Sequence, residues 1–141
     1  MTALVVPAQH RLRLKTELFI RDVYSQEYGA TLGTFPPTLM VILDKHGDIS
    51  CAAGLRSSDD GFFSECYLGS SIEAMLTRRS GEDVRRESIF EISTFASRSP
   101  NSVNSFISQI IEYGEAGGFD WAFFTLTRRL RLLLVPTIAE R

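Results

Sequence analysis

Residues 88–94 (SIFEIST) and 119–127 (FDWAFFTLT) are two apolar runs, and the stretch between them repeats at helical spacing. Val103, Phe106, Ile107, Ile110 and Ile111 recur at threes and fours, and Gly117 and Gly118 supply a stop. A strand, a helix and a strand in that order form two parallel strands joined by a right-handed crossover. The second run is almost continuously apolar, so it is expected to be a strand covered on both faces. This βαβ unit commits the chain to a sheet with helices packed on it.

The N-terminal half adds antiparallel structure. TLMVILD, KHGD and ISCAAGLR follow one another from Thr38 to Arg56, two β-rich runs around a glycine-containing turn. Before them, residues 14–28 carry Leu18, Phe19 and Val23 on one helical face, and Gly29 is placed to end that helix. Phe35, Pro36 and Pro37 then force extended chain. FFSECYL, residues 62–68, is expected as a third strand after a polar loop. Ser70 fits an N-cap with Glu73 at N3, opening a short helix to about Arg79 that Ser80 and Gly81 close. A last short helix is expected from Thr127 to about Leu134, with Pro136 as its stop. The fold class is α/β (α+β): one domain over residues 1–141, a mixed central sheet with helices on both faces.

Composition narrows the function. A chain of 141 residues has single-domain length, and ten Phe, four Tyr and one Trp supply its core. The net charge of -2 argues against bulk nucleic-acid binding. Cys51 and Cys66 lie in apolar runs, far from the spacing of a metal site with His10 or His46, so no metal is expected. The N-terminal apolar stretch is short and its positive charges follow it, unlike a signal peptide. No run has the length of a membrane span, which makes the cytoplasm the expected compartment.

With these words in this order, the chain resembles the thermostable hemolysin family. EYGATLGTFPPTLMVILD is similar to that family's tyrosine-glycine-alanine segment and first hairpin strand, and ISCAAGLRSSD to its alanine-glycine-tyrosine-arginine stretch. FFSECYLGSSIE, VRRESIFEISTFAS and FTLTRRLRLLL resemble its next three blocks, so the match covers roughly residues 14–134. The resemblance implies a fold like the Gcn5-related acetyltransferases, close in style to autoinducer and N-acyl amino acid synthases. It implies an acyl-CoA or the phosphopantetheine of an acyl carrier protein as co-substrate. Nothing in the sequence supports the pore formation that the family name implies.

Candidate chemistry falls in two places. For acid/base work the candidates are Glu91, Glu65 and Tyr67, all of which the family pattern contains at matching positions. Glu65 and Tyr67, two apart on an expected strand, would share a face. Glu91 stands between Phe90 and Ile92, either on a solvated face or buried where a base can work. For cofactor binding, the start of the helix after SIFEIST offers free N–H groups to a pyrophosphate. Ser97, Arg98, Ser99, Asn101 and Ser102 surround it, although Ser99 followed by Pro100 is also an ordinary helix start. Asn101 stands where the family usually has glycine, Ser93 and Thr94 replace a glycine-asparagine pair, and Cys66 replaces a glutamine. Cys66 as a nucleophile lacks a nearby histidine in sequence. Arg128 and Arg129, at an expected helix start, fit an anionic partner such as an acidic carrier protein better than Arg78 and Arg79, at a helix end.

Two functional expectations stand side by side. One is an acyltransferase moving an acyl group from a CoA or carrier-protein thioester to a small amine or hydroxyl. The other is a non-catalytic partner subunit on the same scaffold, which the departures at Asn101, Ser93, Thr94 and Cys66 favour. The family usually runs on past the last helix, so the fold is expected to be shortened at its C-terminus. An uncovered sheet edge would then favour a homo-oligomer or a partner chain.

Overall fold

The computed structural model describes residues 2–63, 65, 69–126 and 131–136, with side chains described through Phe123. Its elements are β1 (Ala3–Val6), α1 (Arg13–Tyr28), β2 (Thr38–Leu43), β3 (Ile49–Arg56), α2 (Ile72–Ser80), β4 (Ile89–Ser97), α3 (Val103–Ala116), β5 (Trp121–Leu126) and β6 (Arg131–Pro136). The strands form one sheet in the order β1-β2-β3-β4-β5-β6. Compact packing divides the chain into Met1–Leu55 with Thr94–Ile110, and Arg56–Ser93 with Ile111–Arg141.

In the first unit, β1 pairs antiparallel with β2 from Ala3↔Ile42 to Val6↔Leu39. The expected hairpin pairs Leu39 with Gly54 and Ile42 with Cys51. Its turn is held by the Asp44 carboxylate, which accepts the N–H groups of His46 at 2.8 Å and Asp48 at 3.0 Å, while Gly47 takes the left-handed φ of 84°. α1 ends at Gly29 in left-handed geometry, as glycine allows. Arg13 fastens the helix to the extended proline segment by donating to the carbonyls of Pro36 and Pro37, each at 2.8 Å. Ile20, Val23, Leu39, Val41 and Ala52 form the core there. Residues 50–55 of β3 are all buried, although successive side chains face opposite ways, so both faces of that strand are covered.

In the second unit, α2 begins at Ser71, whose hydroxyl accepts the Ala74 N–H at 3.3 Å, and ends at Gly81. β4 and β5 run parallel, as the crossover requires, and β5 pairs antiparallel with β6. Phe62, Ile72, Leu76, Val84, Ile89 and Phe123 form the core. α3 carries Gly114 against the ring of Phe90, where any Cβ would overlap ring carbons.

Four expectations change. Residues 62–68 do not form a third strand in their described part: Phe62 and Phe63 lie outside any strand and Glu65 has helical backbone. A short apolar run does not distinguish strand from buried helix or loop, and here Phe62 turns its ring edge-on to Phe123 at 5.5 Å. The last helix is absent from residues 131–136, which are β6; the rest of that expectation lies outside the described residues. Residues 131–136 instead pair antiparallel with β5 from Trp121↔Pro136 to Leu126↔Arg131, which satisfies backbone groups along that side of β5. The N-cap of α2 is Ser71 rather than Ser70, and Glu73 turns to Arg86 instead of closing a capping box. β1, only four residues long, was not anticipated. Among the described residues, no helix is long and apolar enough to cross a membrane.

Candidate functional site

β4 and β5 are in register from Ile89↔Trp121 to Glu91↔Phe123. Among the described residues, no pairing with β5 continues to Ile92 or Ser93. The next residue along β4, Thr94, has φ 47°, the one positive φ outside glycine among the described residues. A β-branched residue avoids that region, and such geometry persists only where its surroundings impose it, at a cost of about 1–3 kcal/mol. Strand β4 is therefore kinked where its pairing to β5 stops.

Unmet polar groups collect at this kink. Ser93 is 9% exposed, and both its Oγ and the Thr94 Oγ1 are buried without a hydrogen-bond partner. Buried hydroxyls ordinarily find partners, so two successive orphans make this stretch of β4 the candidate site. Just before them, Glu91 is 1% exposed, and its Oε1 accepts the Phe63 N–H at 2.7 Å. A carboxylate, two free hydroxyls and an opened strand edge thus follow one another within four residues. Among the described residues, the third side chain with a buried unpartnered polar atom is Arg56, through its Nε.

Glu65 is committed elsewhere. Its carboxylate receives both terminal nitrogens of Arg86 at 2.7 and 2.9 Å, and the Ile72 N–H at 2.9 Å. Hydrogen bonding from Arg86 holds its carboxyl below the ordinary glutamate value, against the opposing effect of burial. Arg86 also donates to Glu73 at 2.9 Å and lies over the Phe62 ring at 4.6 Å. This ion cluster ties the start of α2 to the segment preceding β4. Tyr67, Cys66, Arg128 and Arg129 lie outside the described residues.

The serine-rich helix start is largely self-contained. The Ser97 hydroxyl accepts from Cys51 Sγ at 3.3 Å and from the Ser99 N–H at 3.1 Å, and donates to the Ser99 carbonyl at 3.2 Å. Ser99 and Ser102 bond each other through their hydroxyls at 3.1 Å. A 3-10 turn over Pro100–Ser102 engages the N–H groups of Ser102 and Val103. Arg98 is exposed, with its guanidinium 5.9 Å from the ring centre of Phe19, and Asn101 is exposed beside it. The Cys51 thiol is buried, which pushes its pKa up. No group of side chains able to hold a metal ion occurs among the described residues.

Sequence reasoning placed Glu91 on the right strand and singled out Ser93 and Thr94 as substitutions. It gave no role to Arg56, although the residue stands at the arginine of the alanine-glycine-tyrosine-arginine stretch that ISCAAGLRSSD resembles. It also gave Glu65 a free role where the structure gives it a fixed ionic partner.

The family described as thermostable hemolysin matches the chain over residues 6–137. Among curated proteins, none matches it. Three solved structures share its fold at low identity. FeeM, an N-acyl amino acid synthase from uncultured soil microbes, has a TM-score of 0.62 at 13% identity, covering 92% of this chain and 76% of its own. TofI in an apo form has a TM-score of 0.61 at 17% identity, covering 88% and 70%. MesI, a CoA-dependent acyl-homoserine lactone synthase, has a TM-score of 0.52 at 18% identity, covering 86% and 69%. The mixed sheet and its helices thus have the acetyltransferase-like fold.

Proposed function

We propose, from the premise that this chain belongs to the thermostable hemolysin family, that it is an acyltransferase. It would move an acyl group from a CoA or carrier-protein thioester to a small amine or hydroxyl acceptor. The observation that carries this reading is the kink of β4, where pairing to β5 stops and the Ser93 and Thr94 hydroxyls stand buried and unpartnered. An extended pantetheine arm can lie along an opened strand edge and take up its backbone hydrogen bonds, much as a peptide adds to a sheet. The thioester carbonyl would then accept from the free hydroxyls.

The chemistry follows from those groups. An amine attacks the thioester carbonyl carbon; a C–N bond forms and the C–S bond breaks. Glu91 receives the proton that the amine gives up, and that proton leaves with the departing sulfur as a thiol. Hydroxyls aimed at the carbonyl oxygen stabilise the charge that develops there, an effect worth about 10²–10³ in rate per donor. The low-identity neighbours that carry synthase names agree with this reading at the level of fold.

A carrier protein as donor, pairing with a second copy or partner chain, and a cytoplasmic location belong to the same proposal. The serine loop, whose hydroxyls bond one another, favours a second reading: a scaffold that binds without catalysis. Calorimetry with acetyl-CoA, octanoyl-CoA and an acyl-loaded carrier protein separates the two. Binding of a thioester, followed by release of free thiol on adding an acceptor, is expected. Failure to bind any of the three would overturn the acyltransferase reading.

A further inference from the structure

Helix α1 buries Thr16, Ile20, Val23 and Tyr24 on one side. Its opposite side carries two leucines one turn apart, Leu14 at 66% and Leu18 at 47% exposure. Leu14 is the most exposed large apolar side chain among the described residues, and no other two of that set stand three or four residues apart. Single exposed leucines are ordinary, whereas two on adjacent turns make a stripe. Lys15 and Asp22 border the stripe, both exposed and neither in an ion pair among the described residues. Arg13 and Glu17, by contrast, satisfy each other at 2.7 Å.

The order of charges along this stripe selects its occupant. Lys15 and Asp22 are seven residues apart, so they share one face about 10 Å apart along the axis, with Leu18 between them. A twofold axis through the middle of the stripe sets a second α1 antiparallel to the first and reverses the order of its residues. Centred between Leu18 and Phe19, it brings Lys15 level with the partner's Asp22, and Asp22 level with the partner's Lys15. The Leu18 side chains of both copies then meet between the two ion pairs, and each Leu14 packs just outside one. Arg11, exposed just before the helix, comes level with the partner's Gln26, which is neutral and exposed. An acidic protein or an anionic lipid surface would answer Lys15 and Arg11 but repel Asp22. A second copy answers both signs.

We infer that the exposed stripe of α1 is a pairing surface for a second copy of this chain, packed antiparallel with Leu18 at its centre and a Lys15–Asp22 pair on each side. This names the surface for the pairing with a second copy included in the reading above and rests on that part of it; the acyl-transfer chemistry does not enter. Two leucines and a few charged side chains per copy fall below the roughly 1,200 Å² at which standard interfaces begin, so the dimer is weak and depends on concentration. Exposed ion pairs add little affinity, but like charges in their place oppose association, so the two pairs set which surface is accepted.

The experiment is sedimentation equilibrium of the full chain at low salt, from about 10 µM to about 1 mM, the range of weak association. A reversible monomer–dimer equilibrium is expected. Lys15→Asp and Asp22→Lys each turn both cross-pairs into like-charge contacts and should weaken the dimer about tenfold or more. Mixed in equal amounts, the two variants should pair with each other at near wild-type affinity, since each then supplies the sign the other lacks. The double variant Lys15→Asp/Asp22→Lys should dimerise by itself again. Recovery on mixing is a result that a merely destabilised variant cannot give. A chain that stays monomeric throughout overturns the inference together with the second-copy reading. A dimer that ignores both single inversions, or whose loss is not recovered on mixing, overturns the α1 surface and leaves pairing elsewhere standing. A wild-type chain that binds anionic vesicles or an acyl carrier protein without dimerising, and loses that binding in Leu18→Glu, also overturns it and gives the stripe to that other partner.

Discussion

The Glu91 carboxylate accepts the backbone N–H of Phe63 at 2.7 Å, so the middle of β4 holds the loop that precedes α2. One oxygen thus has a structural duty whatever the chemistry. Glutamine keeps an acceptor oxygen of the same shape but cannot take a proton. Glu91→Gln should therefore retain thermal stability to within about 1 kcal/mol. Its acyl-transfer kcat should fall about 10²–10⁴-fold, the usual range for a lost general base. Parallel melting curves and thiol-release kinetics check this; unaltered turnover would remove Glu91 from the mechanism.

Thr94, three residues further along β4, stores strain, with φ 47° and an unpartnered hydroxyl. Asparagine tolerates left-handed backbone far better than a β-branched residue. Thr94→Asn should raise stability by about 1 kcal/mol, measured by urea denaturation at neutral pH. If the hydroxyl serves the thioester, the same variant loses activity as it gains stability. A destabilised variant would mean that the Thr94 side chain is held by packing instead.

Much of the fold was legible because periodicity and punctuation agreed. The β2–β3 hairpin, the Gly29, Gly81 and Gly117–Gly118 stops, and the parallel β4–β5 pair all follow from residue order. FFSECYL failed because Phe62 and Glu65 answer to partners remote in sequence, Phe123 and Arg86. β6 was hidden because leucines between arginines fit a short helix as well as a strand. At the site, Glu91 could be found as a carboxylate among apolar neighbours. Ser93 and Thr94 stood out against a family pattern of glycine and asparagine, the residues that suit the kinked backbone now seen at Thr94. The orphaned Arg56 Nε has no sequence signature, since it depends on Asp60 turning toward Ser57.

Gly114 sits inside α3, where alanine would ordinarily be preferred by about 1 kcal/mol. A methyl group there would overlap the buried ring of Phe90, which itself packs on Phe119 at 5.4 Å. Gly114→Ala should therefore destabilise by about 1–3 kcal/mol, as overpacking does. Adding Phe90→Leu should return part of that loss, and a double-mutant cycle isolates the coupling. Strict additivity of the two changes would contradict the close approach.

The Glu65–Arg86 pair sets a pH dependence of known sign. Arg86 lowers the carboxyl's pKa in the folded state, whereas an unfolded glutamate titrates near its ordinary value of about 4.3. The pair's stabilisation is thus fully present above that unfolded value and is lost as pH falls through the lowered folded one. Arg86→Met removes the charge and keeps much of the side-chain bulk. At neutral pH it should cost about 1–3 kcal/mol, the range for hydrogen bonds to charged groups. The gap between wild type and variant should narrow as the pH falls from the unfolded value through the lowered folded one, below which Glu65 is protonated in both states. Urea denaturation at several pH values measures it. A gap that stays constant through the acid range would show that Arg86 acts through its contact with the Phe62 ring rather than through Glu65.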